Sequence, residues 1–447
     1  MIVIAALPYV ETNRALAAPA VLKAALLQHD IQSIAIDLNH EIYTMVKASQ
    51  NKELLKQALL HNNFSETIIP DFTRFVKYAA QRILSKNPTV ITLSLFCFQC
   101  RIFCYWLCAE LRQYTDCTIV VGGPGIDSAI WLHEMTQNKL IDDYIMGDGE
   151  ESFPAYIKGN RNFVGINKMN WAPVTNFQLS AIPNYDDYNF YSYEEPSIPL
   201  VDSRGCVQSC EFCDVIERWK RFQFKTADQI FKEMMLQIEK HGIYHFDFRS
   251  SISNGNFKEF TALMNLIATY NSKQFFRSQQ ISWEGSYIIR NSQNERIFET
   301  MSKTNATLFM GVESVNEHTR KNLGKNFSNA ALDWTLQQIE KYKLDAKLLL
   351  IVDYPTETLE DYEKTKNWFI KNKQYAKILR EVAFTRAGII PNTQLDRRSK
   401  EYGIIQNGYI WMNTKLGIDA ETRLRLGKEI IELVESLGFK VERSHAV

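Results

Sequence analysis

Long apolar runs, an excess of either charge, and cysteines spread along the chain are all missing from this 447-residue sequence. No segment approaches the roughly 18 apolar residues of a membrane-spanning helix. Lysine plus arginine number 51, as do aspartate plus glutamate, so the formal net charge is zero. That balance gives no reason to expect nucleic acid or a membrane as partner. The opening residues MIVIAALPYV lack a basic leader and a small-residue cleavage site, and read as a buried strand rather than a signal peptide. Solenoid repeats and low-complexity segments are absent as well. What is present, 45% hydrophobic and 23% charged residues, suits a globular protein of two or three domains. The eight cysteines are bunched, unlike a secreted disulfide framework. Bunched thiols point to a reducing cytosol, where they bind metal or are buried.

Up to about residue 150, strand and helix alternate as in a parallel sheet. Strands are expected at IVIAAL (2–7), SIAIDL (33–38), TVITLSLF (89–96), TIVVGGPG (118–125) and DDYIMGDGEES (142–152), with helices at 15–28 and within 41–86. This predicts a doubly wound, Rossmann-like α/β domain over 1–155, whose ligands bind at the carboxyl ends of its strands. Residues 156–195 are richer in Asn, Asp, Tyr and Pro and read as a connector. From Ile198 the alternation resumes six times, at IPLVDS, YHFDFRS, QISWEGSY, TLFMGVES, KLLLIVDYP and EVAFTRAG. Six such units predict a partial (β/α)6 barrel over 196–395, its chemistry on the loops after the strands. Residues 396–447 are expected as a helical extension, dominated by an amphipathic helix at 417–439.

Two cysteine clusters compete for a metal. Cys97, Cys100, Cys104 and Cys108 lie in SLFCFQCRIFCYWLCAEL, where the last three fall at i, i+4 and i+8 of a helical pattern. On a helix those thiols form one stripe spread over about 12 Å of axis, too far to surround one ion. They are expected in the core, as small hydrophobes. Cys206, Cys210 and Cys213, in RGCVQSCEFCDV, instead share a polar loop begun by Gly205, directly after the first barrel strand. Spacings this short let one loop point three thiolates at an iron–sulfur cluster, leaving one iron of four without a protein ligand. A zinc site would need a fourth ligand, for which His241 and His245 are distant in sequence.

The C-x3-C-x2-C motif CVQSCEFC closely resembles that of the radical S-adenosylmethionine (radical SAM) superfamily. HFDFRS, MGVES (310–314), VDYPTETLED (352–361) and AGIIPNTQL resemble that family's later strand-end motifs. Asp353, Thr356 and Asn392 stand where glycines are common. The Pro-containing first loop, SLF, GGPG, MGDGEESF and the connector PNYDDYNFY resemble the branch with an N-terminal cobalamin-binding domain. The D-x-H-x-x-G motif of methionine-synthase-type cobalamin domains is missing from LPYVETNRALAAP.

The resemblance implies a [4Fe-4S] cluster on Cys206, Cys210 and Cys213, S-adenosylmethionine on its open iron, and cobalamin on the first domain. It implies reductive cleavage to a 5′-deoxyadenosyl radical and cobalamin-dependent methyl transfer to an unactivated carbon. A radical cyclase or rearrangement enzyme, and a non-catalytic iron–sulfur or corrinoid-binding protein, are the alternatives. Asp247 and Glu313 are expected to contact S-adenosylmethionine, and Arg249, Trp283, Glu284 and Arg386, read as strand-end residues, to contact substrate. Ser94, Gly122 and Gly123 are expected near the corrinoid tail, with Tyr9 and Glu11 facing the cobalt. Implied partners are a small-molecule or peptide substrate and an electron donor such as flavodoxin or ferredoxin, in the cytoplasm.

Overall fold

The computed structural model describes residues 1–9, 14–61, 64–292, 294–407 and 410–443, and the chain divides into two compact units, Met1–Pro199 and Leu200–Val447. In the first, β1 (Ile2–Ala6), β2 (Ser33–Asp37), β3 (Val90–Ser94), β4 (Thr118–Gly122) and β5 (Asp143–Ile145) form one sheet. Its order is β2-β1-β3-β4-β5 and every pairing is parallel. Fully buried strands alternate between two helix layers. Val3, Ala5, Ile91 and Leu93 pack with helices Ile69–Leu84 and Cys100–Leu111, while Ile2, Ile4 and Val120 pack with Ala18–Leu27 and Gly149–Ile157. This is a doubly wound fold, and its strand order reverses between β1 and β3, where such sheets open a crevice.

The Tyr-rich stretch 184–193 belongs to this unit and lies along the free edge strand β2. Tyr185, Tyr188 and Tyr193 donate their hydroxyls to Pro199 O (2.7 Å), Leu16 O (2.9 Å) and Asp37 Oδ2 (2.9 Å). Asp187 accepts from the Ala35 amide (2.8 Å) and from Lys23 (2.6 Å). An edge amide that would otherwise be open to a stray strand is thereby capped.

The second sheet contains β6 (Ile198–Leu200), β7 (His245–Phe248), β8 (Ser282–Tyr287), β9 (Ala306–Glu313), β10 (Asp345–Val352), β11 (Glu381–Arg386) and β12 (Val441–Arg443). They are ordered β12-β11-β10-β9-β8-β7-β6, with parallel pairing from β7 through β12. On β9 and β10 the residues facing the helices, such as Leu308, Met310, Leu348 and Leu350, are buried. Those facing inward, such as Phe309, Gly311, Leu349 and Ile351, are half-exposed, as expected of a barrel that does not close on itself.

The C-terminal segment departs from the helical expectation. Besides the helix Ala420–Ser436 it carries an antiparallel pair, Ile404–Asn407 with Ile410–Asn413, and β12, which adds a seventh strand to the expected six. A three-residue strand is too short to show a period, and the sheet, not its own sequence, holds it extended.

Candidate functional site

The triad loop leaves β6 through a narrow neck, where Ser203–Arg204 pairs antiparallel with Gln223–Phe224. Gly205 turns the chain at φ +77°, where a Cβ would lie 2.8 Å from Arg221 O, so only glycine fits. Beyond it, Cys206 Sγ accepts the Gln208 amide at 3.4 Å and the Cys213 amide donates to Cys210 O at 3.1 Å. Glu211 fastens the loop at three points. Its amide donates to Leu323 O (3.0 Å), its carbonyl accepts from the Leu395 amide (2.8 Å), and its carboxylate receives Arg398 and the Tyr402 hydroxyl (2.8 Å). Gly324, at φ +84°, lies so close that a Cβ would sit 2.8 Å from Ser209 O.

The three thiols are electrostatic neighbours. Burial pushes Cys210 up to about 12; Lys325 opposes this, while Glu313, Cys213 and Cys206 add to it. Cys213 is raised by burial and eased by the Val215 amide, with Cys206 again a repulsive neighbour. Glu313 ends β9 in the left-handed region, at φ +63°. Lys325 Nζ donates to its Oε1 at 2.7 Å and also to Gly311 O. Among the described residues no group of three or more His, Cys, Asp or Glu side chains is arranged to hold a metal ion. A four-iron cluster makes no such demand, because each thiolate takes a different iron. His245 opens β7, at the opposite end of the sheet from the triad, with Nδ1 2.8 Å from Ser282 Oγ.

The remaining expected barrel residues divide. Asp247 is buried on the inner face, paired with Arg249 and in register with Glu284 of β8. Arg386 ends β11 and donates to Asp353 Oδ2 at 3.0 Å. Trp283 and Glu284 are not at a strand end, since β8 runs on to Tyr287. Trp283 moreover points toward the helices, against Phe248 and Phe260, with its Nε1 bonded to Thr304 Oγ1 at 2.9 Å. The strict alternation of a strand puts it on the face opposite Glu284, so Trp283 is a core residue.

In the first unit Ala6, Ser94 and Gly122 stand level at the carboxyl edge. Tyr9 follows β1, its ring 4.9 Å from that of the exposed Phe96. Gly123 has φ +96°, and a Cβ there would lie 2.5 Å from Leu95 O, so its immediate use is the close packing of two loops. Glu11 lies outside the described residues. Cys100, Cys104 and Cys108 line one side of the helix Cys100–Leu111, wholly buried among Phe103, Leu107 and Leu111. Burial raises the thiols of Cys100 and Cys104 well above the ordinary range. Those three cysteines are core; Cys97, one turn earlier, is half-buried, and its hydrogen bond with Cys100 holds its thiol below the ordinary range.

Sequence reasoning misses three features. Lys325 gives no signal beyond following a glycine. Asp202, two residues past β6, is buried and pushed up to about 7 by that burial, with Ser250 donating to it; an acidic residue ending an apolar strand could have marked it. Lys225 and Glu233 form a buried pair nearby in sequence, at 2.8 Å.

Residues 200–369 match the family model of the radical SAM superfamily. The chain is 25% identical over 316 residues to an uncharacterized methyltransferase of Pyrococcus horikoshii, which covers 66% of this chain and 65% of the relative's length. Among solved structures, it resembles the radical S-adenosylmethionine methyltransferase TsrM of Kitasatospora setae, with cobalamin and a [4Fe-4S] cluster bound. That match has a TM-score of 0.67 at 11% identity and covers 98% of this chain and 90% of that one. The cobalamin-dependent S-adenosylmethionine radical enzyme OxsB, with aqua-cobalamin and S-adenosylmethionine bound, matches with a TM-score of 0.66 at 14% identity, covering 90% and 60%. Residues 200–369 are thus a radical SAM domain, in a chain that has the fold of the cobalamin-dependent radical SAM enzymes.

Proposed function

We propose that the protein is a cobalamin-dependent radical SAM enzyme that transfers a methyl group to an unactivated carbon of a small-molecule or peptide substrate. The observation that carries this reading is the triad itself. Cys206, Cys210 and Cys213 are free thiols on one fastened loop past β6, and the second unit contains no other cysteine. Three such ligands fit a four-iron cluster with one iron left for S-adenosylmethionine. When bound, the cluster supplies an electron for reductive cleavage of S-adenosylmethionine, and cobalamin supplies the methyl group.

The chain's own residues hold and orient. The Gln208 amide donates to Cys206 sulfur, and the Val215 amide eases the thiolate form of Cys213; such donors stabilise a ligated sulfur. Glu313 and Asp247 offer carboxylate acceptors for the amino or ribose groups of S-adenosylmethionine. Cobalamin is given to the first unit, at the β1/β3 crevice of its sheet. There Tyr9 and Phe96 stand with ring centroids 4.9 Å apart and planes tilted by 33°, and these rings would line the face of a corrinoid bound beside a first loop that carries no histidine.

Anaerobic reconstitution tests the reading. Wild-type protein should take up about four irons per chain, give the visible spectrum of a bound corrinoid, and cleave S-adenosylmethionine with reductant; Cys210→Ala should lose iron and cleavage together. No retained iron in the wild type rejects the cluster. Retained iron without corrinoid uptake rejects methyl transfer through cobalamin and leaves a radical enzyme of another kind.

A further inference from the structure

The balanced total charge hides a strong local asymmetry. In a parallel barrel sheet every helix-to-strand turn lies at the amino edge, opposite the triad. The turns 273–281, 302–305, 343–344, 372–380 and 437–440 precede β8, β9, β10, β11 and β12, so they follow one another along that edge. Each of these five contains lysine or arginine and none contains aspartate or glutamate, while the turn 242–244 before β7 is uncharged. Lys273, Arg277, Lys343, Lys373 and Lys377 are exposed and have no carboxylate partner among the described residues. Two carboxylates at the strand starts are already taken: Asp345 by Arg380 at 3.2 Å and Glu381 by Lys347 at 2.8 Å. Basic residues are favoured at helix C-termini by the helix dipole, which accounts for part of this.

The dipole does not account for Phe275 and Phe276. They stand between Lys273 and Arg277, 92% and 58% exposed, with ring centroids 5.0 Å apart. Two adjacent phenylalanines held in water beside a cationic rim are costly unless something covers them.

We infer that this amino edge is a peripheral docking surface for an anionic phospholipid bilayer, with Phe275 and Phe276 entering the interface and the basic turns meeting headgroups. An apolar tip ringed by lysine and arginine matches the two terms of interfacial binding. A nucleic acid or redox protein seated here would be poorly placed to serve the chemistry. The eight-residue strands β9 and β10 hold the two ends of the sheet about 26 Å apart. A bilayer needs no such reach.

The test is flotation of the full chain with vesicles of phosphatidylcholine alone, or with a quarter of the lipid replaced by phosphatidylglycerol. The protein should float only with the anionic vesicles, and high salt should release it. Phe275→Ser with Phe276→Ser, and separately Lys273→Ala with Arg277→Ala, should each lower binding by about tenfold at unchanged thermal stability. Cys210→Ala should bind as wild type, which separates this inference from the proposed chemistry. Absent binding, binding indifferent to lipid charge, or displacement by a single-stranded RNA at lower concentration than lipid overturns it, the last in favour of nucleic acid.

Discussion

Lys325 Nζ lies 2.7 Å from Glu313 Oε1, joining the end of β9 to a residue whose preceding glycine packs on the backbone of the triad loop. Both side chains are largely buried, so neither charge can be removed without stranding the other. Lys325→Met should cost about 3 kcal/mol of stability, and it leaves a carboxylate uncompensated beside Cys210. In reconstituted protein the cluster's reduction potential should fall. Glu313→Gln should raise it, because the ammonium then stands alone. Redox titration followed by electron paramagnetic resonance reads both shifts, and shifts of the same sign would reject charge as their origin.

Replacing one cysteine from each cluster separates their roles. Cys104→Ala removes a buried sulfur from a packed core and should cost about 1 kcal/mol while leaving iron content at the wild-type level. Cys210→Ala, also at a buried position, should cost no more stability in the cluster-free protein than Cys104→Ala but should lose iron. Iron analysis beside thermal unfolding checks both. Iron lost in Cys104→Ala would return the first cluster to contention.

Much of this arrangement is legible in the sequence because its elements are long and strongly periodic. The apolar run KLLLIVDYP gives β10 to within three residues, and the i, i+4, i+8 spacing of Cys100, Cys104 and Cys108 gives their burial. The departures from the family's glycines are legible in hindsight. Asp353 and Asn392 both adopt positive φ, +65° and +68°, and aspartate and asparagine are the residues that tolerate it best after glycine. The substitutions keep the backbone that glycine would allow.

What is not legible depends on tertiary neighbours. No local pattern links Lys325 to Glu313 or Glu211 to Arg398, since those pairs exist only once the barrel loops meet. The direction of Trp283 depends on which face of β8 turns inward, and an apolar-polar run short of one full strand does not fix it. The basic amino edge vanishes from a net charge summed over the whole chain.

Arg423 ties the helix Ala420–Ser436 to the loop after β10. Its guanidinium donates to Tyr354 O (3.3 Å), Pro355 O (3.5 Å) and Glu357 O (3.4 Å) and lies over Trp411 with 5.0 Å to the ring centroid. Arg423→Met keeps the stem and removes the donors, leaving buried carbonyls without partners. A loss of about 3 kcal/mol follows, and with it faster proteolytic release of the C-terminal helix. Unchanged cleavage kinetics would show that the helix is held by its apolar face alone.

Glu357 on that same loop makes stability depend on pH. Burial pushes its carboxyl up to about 8, against the Tyr354 amide and Arg423, which favour the charged form, and with Asp353 and Asp361 opposing it. Between the ordinary glutamate range and pH 8 the folded protein therefore holds a proton that the unfolded chain has released. Stability from this group is full at low pH and is lost as pH rises toward 8. Glu357→Gln keeps the shape and cannot ionise, so it should gain on wild type by roughly 1–3 kcal/mol between pH 5 and pH 8. Thermal unfolding of the two proteins across that range should show the wild-type midpoint falling further. Parallel curves would mean that Arg423 already holds Glu357 as the carboxylate.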